Sequence, residues 1–173
     1  MTTFTKKIEA VANIAIIIVA LLIGGVLAYR YFGTPSESKE TIKAGAKVSL
    51  PDTDWTKNNR SLVLVLQKGC RYCTESAPFY QKLSAAVKAE GKTTLLAALP
   101  SSATESEGYL RELGVAVDVV KQVSPSSLGV RGTPALLLVD DKGIVVESWT
   151  GKLPADKETQ VLNKVVCGDE KNC

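Results

Sequence analysis

Apolar residues in this chain occur as short continuous runs separated by stretches with helical spacing. Runs of valine, leucine, isoleucine and alanine predict buried strands over residues 61–66, 93–99 and 135–139. Apolar positions three or four apart predict helices over residues 71–90, 105–113 and 155–166, and Pro78 should kink the first. The turn Asp140-Asp141-Lys142-Gly143 should join the third strand to a returning strand over residues 144–150. Weaker signals predict a strand over 47–50, an extended segment over 115–120 and a helical turn over 124–128.

The order of these elements predicts an α/β fold. A strand, a crossover helix and a second strand normally lie parallel, whereas the Asp140–Gly143 hairpin adds an antiparallel pair. We therefore expect one domain over residues 47–166 with a central mixed sheet and helices on both of its faces.

The longest apolar stretch covers residues 10–32, between a tail (1–9) and a polar linker (33–46). Twenty helical residues reach about 30 Å, the thickness of a bilayer's hydrocarbon core. The pattern predicts one N-terminal transmembrane signal-anchor, with a cleaved signal peptide as the alternative. The protein would then be a single-pass protein of the cell membrane with its domain extracytoplasmic (periplasmic), where cysteine pairs form disulfides.

Composition excludes several function classes. The net charge is only +3 and no basic run is interleaved with aromatic residues, so we expect no nucleic-acid partner. The chain has no histidine, which excludes Ser-His-Asp and Cys-His catalysis and every histidine-bearing metal site. Proton transfer must use carboxylates, lysine, tyrosine, thiols or water. We expect no metal and no organic cofactor.

The main candidate for chemistry is Cys70-Arg71-Tyr72-Cys73, between a predicted strand and a predicted helix. Backbone N–H groups and the dipole at a helix start favour a thiolate, so Cys70 should be the exposed nucleophile. Cys73, one turn further, should be the buried resolving thiol. Arg71 and Tyr72 would tune the pair. A structural disulfide or half of a zinc site is the alternative.

A second motif, Gly132-Thr133-Pro134-Ala135, opens the third strand. A proline there can be cis, and a cis bond would present the backbone of Thr133 to an extended partner near the cysteines. Thr133 and Pro134 are thus the predicted substrate-binding residues. An ordinary trans proline at a sheet edge is the alternative.

Together these motifs resemble the thioredoxin superfamily. The resemblance covers about residues 48–166 and includes Pro78, five residues after Cys73, and the sequence Gly-Val-Arg-Gly-Thr-Pro-Ala at 129–135. A membrane anchor followed by one such domain is similar to the TlpA/ResA group of extracytoplasmic oxidoreductases. The chain differs from the family in having Gly69 before the first cysteine and no clear buried acidic residue, and Glu75 reads as a solvated helix residue.

The remaining cysteines, Cys167 and Cys173, follow the last predicted helix. A short structural disulfide that fixes the C-terminal tail (167–173) is the main interpretation. A second redox pair that exchanges electrons with Cys70 and Cys73, or a four-cysteine zinc site, are the alternatives.

The predicted function is thiol–disulfide oxidoreduction at the CxxC pair, reducing or isomerising disulfides in exported proteins. The expected partners are those substrates and a protein redox partner such as a membrane electron carrier. The alternatives are a disulfide-forming oxidase and a non-catalytic thioredoxin-fold binding or assembly module.

Overall fold

The computed structural model describes residues 16–25, 42–57 and 59–168. The chain divides into two compact units, residues 1–37 and 38–173. In the first unit, residues 16–25 form helix α1, whose side chains are exposed. Among the described residues no helix has the length and apolar character needed to cross a bilayer. The predicted span of residues 10–32 extends beyond α1 on both sides, outside the described residues.

The second unit is built on a five-stranded mixed sheet. Its strands are β1 (Arg60–Val65), β2 (Thr93–Leu99), β3 (Val119–Gln122), β4 (Ala135–Asp140) and β5 (Val145–Thr150), in the order β3-β2-β1-β4-β5. Strands β1, β2 and β3 are parallel, and β4 is antiparallel to both β1 and β5. Helices α2 (Arg71–Glu75), α3 (Ala77–Glu90), α4 (Ala103–Glu112) and α5 (Ala155–Cys167) connect and flank the strands. The predicted α/β class with a mixed sheet flanked by helices is confirmed.

The predicted first helix is interrupted rather than only kinked. Pro78 lies in the first turn of α3 and has no N–H to donate to the carbonyl of Thr74. The chain accordingly ends α2 at Glu75 and restarts at Ala77, with Ser76 between the two helices. The dithiol therefore lies on a separate five-residue helix.

The alternation of elements predicted helices on both faces of the sheet, but helices α2 to α5 lie on one face. Buried residues of α3, α4 and α5 share one apolar cluster with Leu62, Leu64 and Leu66. The crossovers from β1 to β2 and from β2 to β3 step in the same direction, so two right-handed connections place their helices on the same face. The opposite face is covered by irregular chain and by two 3-10 turns that contribute Trp55 and Leu128.

The segment before β1 also differs from prediction. Residues 47–50 form no strand, and only Lys47 makes an isolated bridge, with Ile144. The N–H of Val48 donates to the carbonyl of Gly143, and the Ser148 hydroxyl donates to the carbonyl of Ile42. Residues 42–46, predicted as linker, therefore pack against the domain along β5.

Candidate functional site

The two cysteines of the motif lie where the central strand gives way to α2. After β1 the chain turns through Gly69, whose φ of +79° is a left-handed conformation that glycine adopts without strain. Cys70 then occupies the cap position of α2, and Cys73 lies one turn further along. Because β1 is the middle strand of the sheet, the site is held by the most buried element of the fold.

The pair forms a disulfide in this structure. The N–H of Cys73 donates to the carbonyl oxygen of Cys70 at 3.1 Å and to its Sγ at 3.2 Å. Cys70 is partly exposed, whereas Cys73 has no exposed surface. The predicted difference in burial between the two cysteines is confirmed, and only Cys70 is accessible to a large partner.

The Thr133–Pro134 motif lies directly beside this disulfide. The Thr133–Pro134 peptide bond is cis, as predicted. The carbonyl oxygen of Thr133 lies 3.4 Å from Cys70 Sγ, although the two residues are 63 positions apart in the chain. The carbonyl of Pro134 accepts a hydrogen bond of 2.7 Å from the N–H of Gly151, which fixes this loop to the end of β5. The sheet thus brings the two predicted motifs into contact.

The side chains of Arg71 and Tyr72 differ in what they contact. Arg71 Nε donates to a carboxylate oxygen of Glu75 at 2.7 Å, and Lys152 Nζ donates to the other oxygen at 2.9 Å. These bonds, first from Lys152 and then from Arg71, hold the pKa of Glu75 below its usual value. The charge of Arg71 is therefore largely engaged by Glu75, while Tyr72 is exposed beside the disulfide.

Three buried hydroxyl groups lie on the side of the sheet where Cys73 is buried, and no prediction from the sequence named them. Ser76, Tyr80 and Tyr109 are all buried in the core on the side of α2 and α3. The Ser76 Oγ and Tyr109 OH atoms have no hydrogen-bond partner. The sequence signal for these hydroxyls is a polar residue at a core position of a helix. Tyr80 lies on the apolar stripe of α3, where a tyrosine is usually an ordinary core residue, so the signal is weak.

Cys167 lies at the other end of the domain. It ends α5 and is disulfide-bonded, and its predicted partner Cys173 is outside the described residues. A groove of about 540 Å³ there is lined by Cys167 and by the first residues of β1 and β2, Arg60 and Thr93. Cys70 follows the opposite end of β1, and a six-residue strand is about 20 Å long. Direct exchange between the sulfur atoms of Cys167 and Cys70 would need contact that this fold does not provide.

This separation also argues against a four-cysteine zinc site. Cys70 and Cys167 cannot ligate one ion from opposite ends of the sheet. Among the residues that the structure describes, no group of three or more acidic or cysteine side chains is arranged to hold a metal ion.

Comparison of the chain with known proteins gives matches at the level of structure. No protein-family profile matches the chain, and no curated protein sequence matches it. Solved structures superpose on this chain with TM-scores above 0.5, and three of them illustrate the match. They are a protein assigned to the DsbE thiol:disulfide interchange class from Chlorobium tepidum (TM-score 0.56, 23% identity, 72% of this chain and 99% of that one), a thiol:disulfide interchange protein from a Bacteroides species (0.55, 20%, 76% and 93%), and a thiol-disulfide isomerase from Corynebacterium glutamicum (0.52, 17%, 79% and 97%).

These identities are all below 25%, so the matches bear on the fold. The chain therefore has a thioredoxin-like fold, and its CxxC-spaced pair is Cys70 and Cys73.

Proposed function

We propose that this protein is a thiol–disulfide oxidoreductase that exchanges the Cys70–Cys73 disulfide with disulfides of exported proteins. One observation carries the proposal: a partly exposed Cys70 lies 3.4 Å from the Thr133 carbonyl and directly over a fully buried Cys73. An exposed sulfur beside a backbone carbonyl can receive an extended polypeptide, and a buried second thiol can displace it. The structural neighbours that are named thiol:disulfide interchange proteins support this assignment.

The reaction follows from the positions of the two sulfur atoms. In the reduced protein the Cys70 thiolate, which accepts a hydrogen bond from the N–H of Cys73, attacks a substrate disulfide and forms a mixed disulfide. Cys73 then attacks Cys70 Sγ, the bond to the substrate breaks, and the substrate sulfur leaves as a thiolate. The sum transfers two electrons to the substrate and leaves Cys70 and Cys73 as a disulfide.

Thr133 and Pro134 would form the substrate-binding edge. The cis bond places the Thr133 carbonyl at the disulfide, and the Gly151 hydrogen bond holds the Pro134 carbonyl in place. A substrate segment that lies extended along this edge would bring its own disulfide to Cys70. Reduction or isomerisation of protein disulfides is the reaction that we propose for this edge, and no part of it requires a cofactor.

We further propose that the domain is extracytoplasmic and anchored to the cell membrane through the apolar N-terminal segment. The proposal is supported by the apolar sequence of residues 10–32, of which α1 is the described part. A protein in such a place needs a redox partner that restores its dithiol, and a membrane electron carrier fits that role. Fractionation of cells and protease protection of residues 38–173 test the location.

The exchange activity is tested by insulin reduction and by trapping. The wild-type chain should reduce insulin in the presence of a dithiol, and Cys70→Ser should abolish the reaction. Cys73→Ser should retain the first step and accumulate a mixed disulfide with substrate, which is visible on a non-reducing gel. Cys167→Ser is the matched control, since Cys167 lies at the far end of the sheet, and it should leave the rate unchanged.

Two results would overturn the proposal in favour of its alternatives. If Cys70 resists alkylation after mild reduction, the disulfide is structural and the domain is a binding or assembly module. A reduction potential near −120 mV, typical of strong oxidants, would instead identify a disulfide-forming oxidase.

A further inference from the structure

The inference concerns how a proton leaves Cys73, and it rests on the exchange function proposed above. Cys73 has no exposed surface, so its thiol proton cannot pass directly to solvent. The adjacent carboxylate, Glu75, is bonded to Arg71 and Lys152 at the surface of α2. The chain has no histidine. Among the described residues every buried polar side chain carries a hydroxyl, so the groups available to take the proton are hydroxyls.

Ser76 is the first of these groups. It follows Cys73 by three residues, and its N–H still donates to the carbonyl of Tyr72, so both side chains lie on the same side of the helix. A serine at the start of α3 normally caps the helix, but Ser76 makes no side-chain cap: the N–H groups of Phe79 and Tyr80 bond to its backbone carbonyl instead. Its Oγ is buried and has no partner.

Two buried phenols share the apolar cluster that contains Cys73. Tyr80 lies one turn beyond Ser76 on α3 and donates its N–H to the Ser76 carbonyl at 3.1 Å, and the Ser76 hydroxyl acts to lower the pKa of the Tyr80 phenol. Tyr109 of α4 is the other phenol, and its hydroxyl is the second buried oxygen without a partner. Native structures seldom leave buried hydroxyls unpaired, and such groups often have a role in chemistry.

Glu158 of α5 offers a route from this cluster to the surface. It is half-buried and lies one turn before Val161, which is buried in the same cluster as Tyr80 and Tyr109. The charge of its carboxylate adds to the rise in the pKa of Tyr80. Burial is the main reason that the pKa of Tyr80 is raised above its ordinary value, so the phenol stays protonated and passes a proton only by accepting one while it donates its own.

We propose that the hydroxyls of Ser76, Tyr80 and Tyr109 form a buried relay that carries the proton of the Cys73 thiol to Glu158. When Cys73 attacks the mixed disulfide, its S–H bond breaks, a bond forms from its sulfur to Cys70 Sγ, and the substrate leaves as a thiolate. The released proton crosses the hydroxyls to the Glu158 carboxylate and then to solvent. No oxidant beyond the substrate disulfide is required.

A two-step assay separates the relay from the exchange reaction itself. The reduced full chain, with Cys167 and Cys173 replaced by serine, is mixed with substoichiometric 5,5′-dithiobis(2-nitrobenzoate) in a stopped-flow instrument. Attack by Cys70 releases the first thionitrobenzoate, and resolution by Cys73 releases the second. Tyr80→Phe and Ser76→Ala should each slow the second release by about tenfold or more and leave the first unchanged, as expected for loss of a proton-transfer group. The wild-type second release should show a solvent deuterium isotope effect that shrinks in both variants.

One variant serves as a matched control. Ser84→Ala removes a buried hydroxyl of α3 that is already bonded to the carbonyl of Ala116. This variant should leave the second release and its isotope effect at the wild-type values.

The outcomes are distinguishable. If the wild-type chain releases no thionitrobenzoate, the proposed function fails. If it releases both and Tyr80→Phe and Ser76→Ala match it in rate and isotope effect, only the relay is refuted. A variant that slows both releases equally would indicate a structural effect and would also count against the relay.

Discussion

Reduction of the Cys70–Cys73 disulfide should change the stability of the domain by less than about 1.5 kcal/mol, because two contributions nearly cancel. The disulfide joins residues three apart, and closing so small a loop stabilises the oxidised form by about 2 kcal/mol. In the reduced form, the N–H of Cys73 would hold a Cys70 thiolate at 3.2 Å, and a hydrogen bond to a charged acceptor contributes about 1.5–3 kcal/mol. That N–H is shared with the Cys70 carbonyl, so the lower end of the range applies.

The same difference sets the reduction potential relative to that of the unfolded chain. For a two-electron couple about 30 mV corresponds to 1.4 kcal/mol, so folding should shift the potential by no more than about 30 mV. A shift of this size favours the reductase or isomerase assignment over a strong oxidant, in which the reduced form is markedly more stable.

Urea unfolding of the oxidised and reduced protein measures the difference directly. Cys167 and Cys173 are replaced by serine in this experiment so that the reductant acts on one disulfide only. Cys70→Ala in the same background is the control, and its midpoint should not respond to reductant. The reasoning is refuted if the reduced form is more stable by about 3 kcal/mol or more, since one shared N–H cannot supply that much. Such a result would support the oxidase alternative.

Three further predictions concern the scaffold and the charges at the site. In a urea titration, Gly143→Ala should lower the free energy of unfolding more than Gly45→Ala does. Both positions need a left-handed residue, which costs about 1–2 kcal/mol, but a Cβ on Gly143 would lie 2.9 Å from the ring of Trp55, whereas a Cβ on Gly45 would meet no atom within 4 Å. Equal losses would show that Trp55 is not fixed there. Wild type should be more stable than Glu75→Gln above pH 4.5, the usual carboxyl pKa, and this difference should disappear as pH falls through the lowered pKa of Glu75. A difference that persists in acid would contradict the ion pairs. Leu83→Ala should lose about 2–5 kcal/mol in the same titration, because Leu83 is 1% exposed between α3 and the sheet, and a loss below about 1 kcal/mol would contradict that packing.

The sequence by itself determined the central strands and the position of the candidate dithiol. Continuous apolar runs predicted the central strands, because a strand that is buried on both faces is apolar at successive positions. The strand predicted over 93–99 has the bounds observed for β2. The Asp140–Gly143 turn and the cysteines at a helix start are local features that depend on a few neighbouring residues. The cis bond at Pro134 followed from its position at the start of a strand near a CxxC motif.

The tertiary structure alone decided which distant groups meet. Cys70 and the Thr133 carbonyl are 63 residues apart, and Glu75 and Lys152 are 77 apart, so each contact depends on the order of strands in the sheet. The direction of the two crossovers put α3 and α4 on one face, which alternation of elements cannot specify. The same packing put Tyr109 of α4 in one buried cluster with Tyr80 and Cys73, because side chains from separate helices converge only once both helices lie on the same side of the sheet.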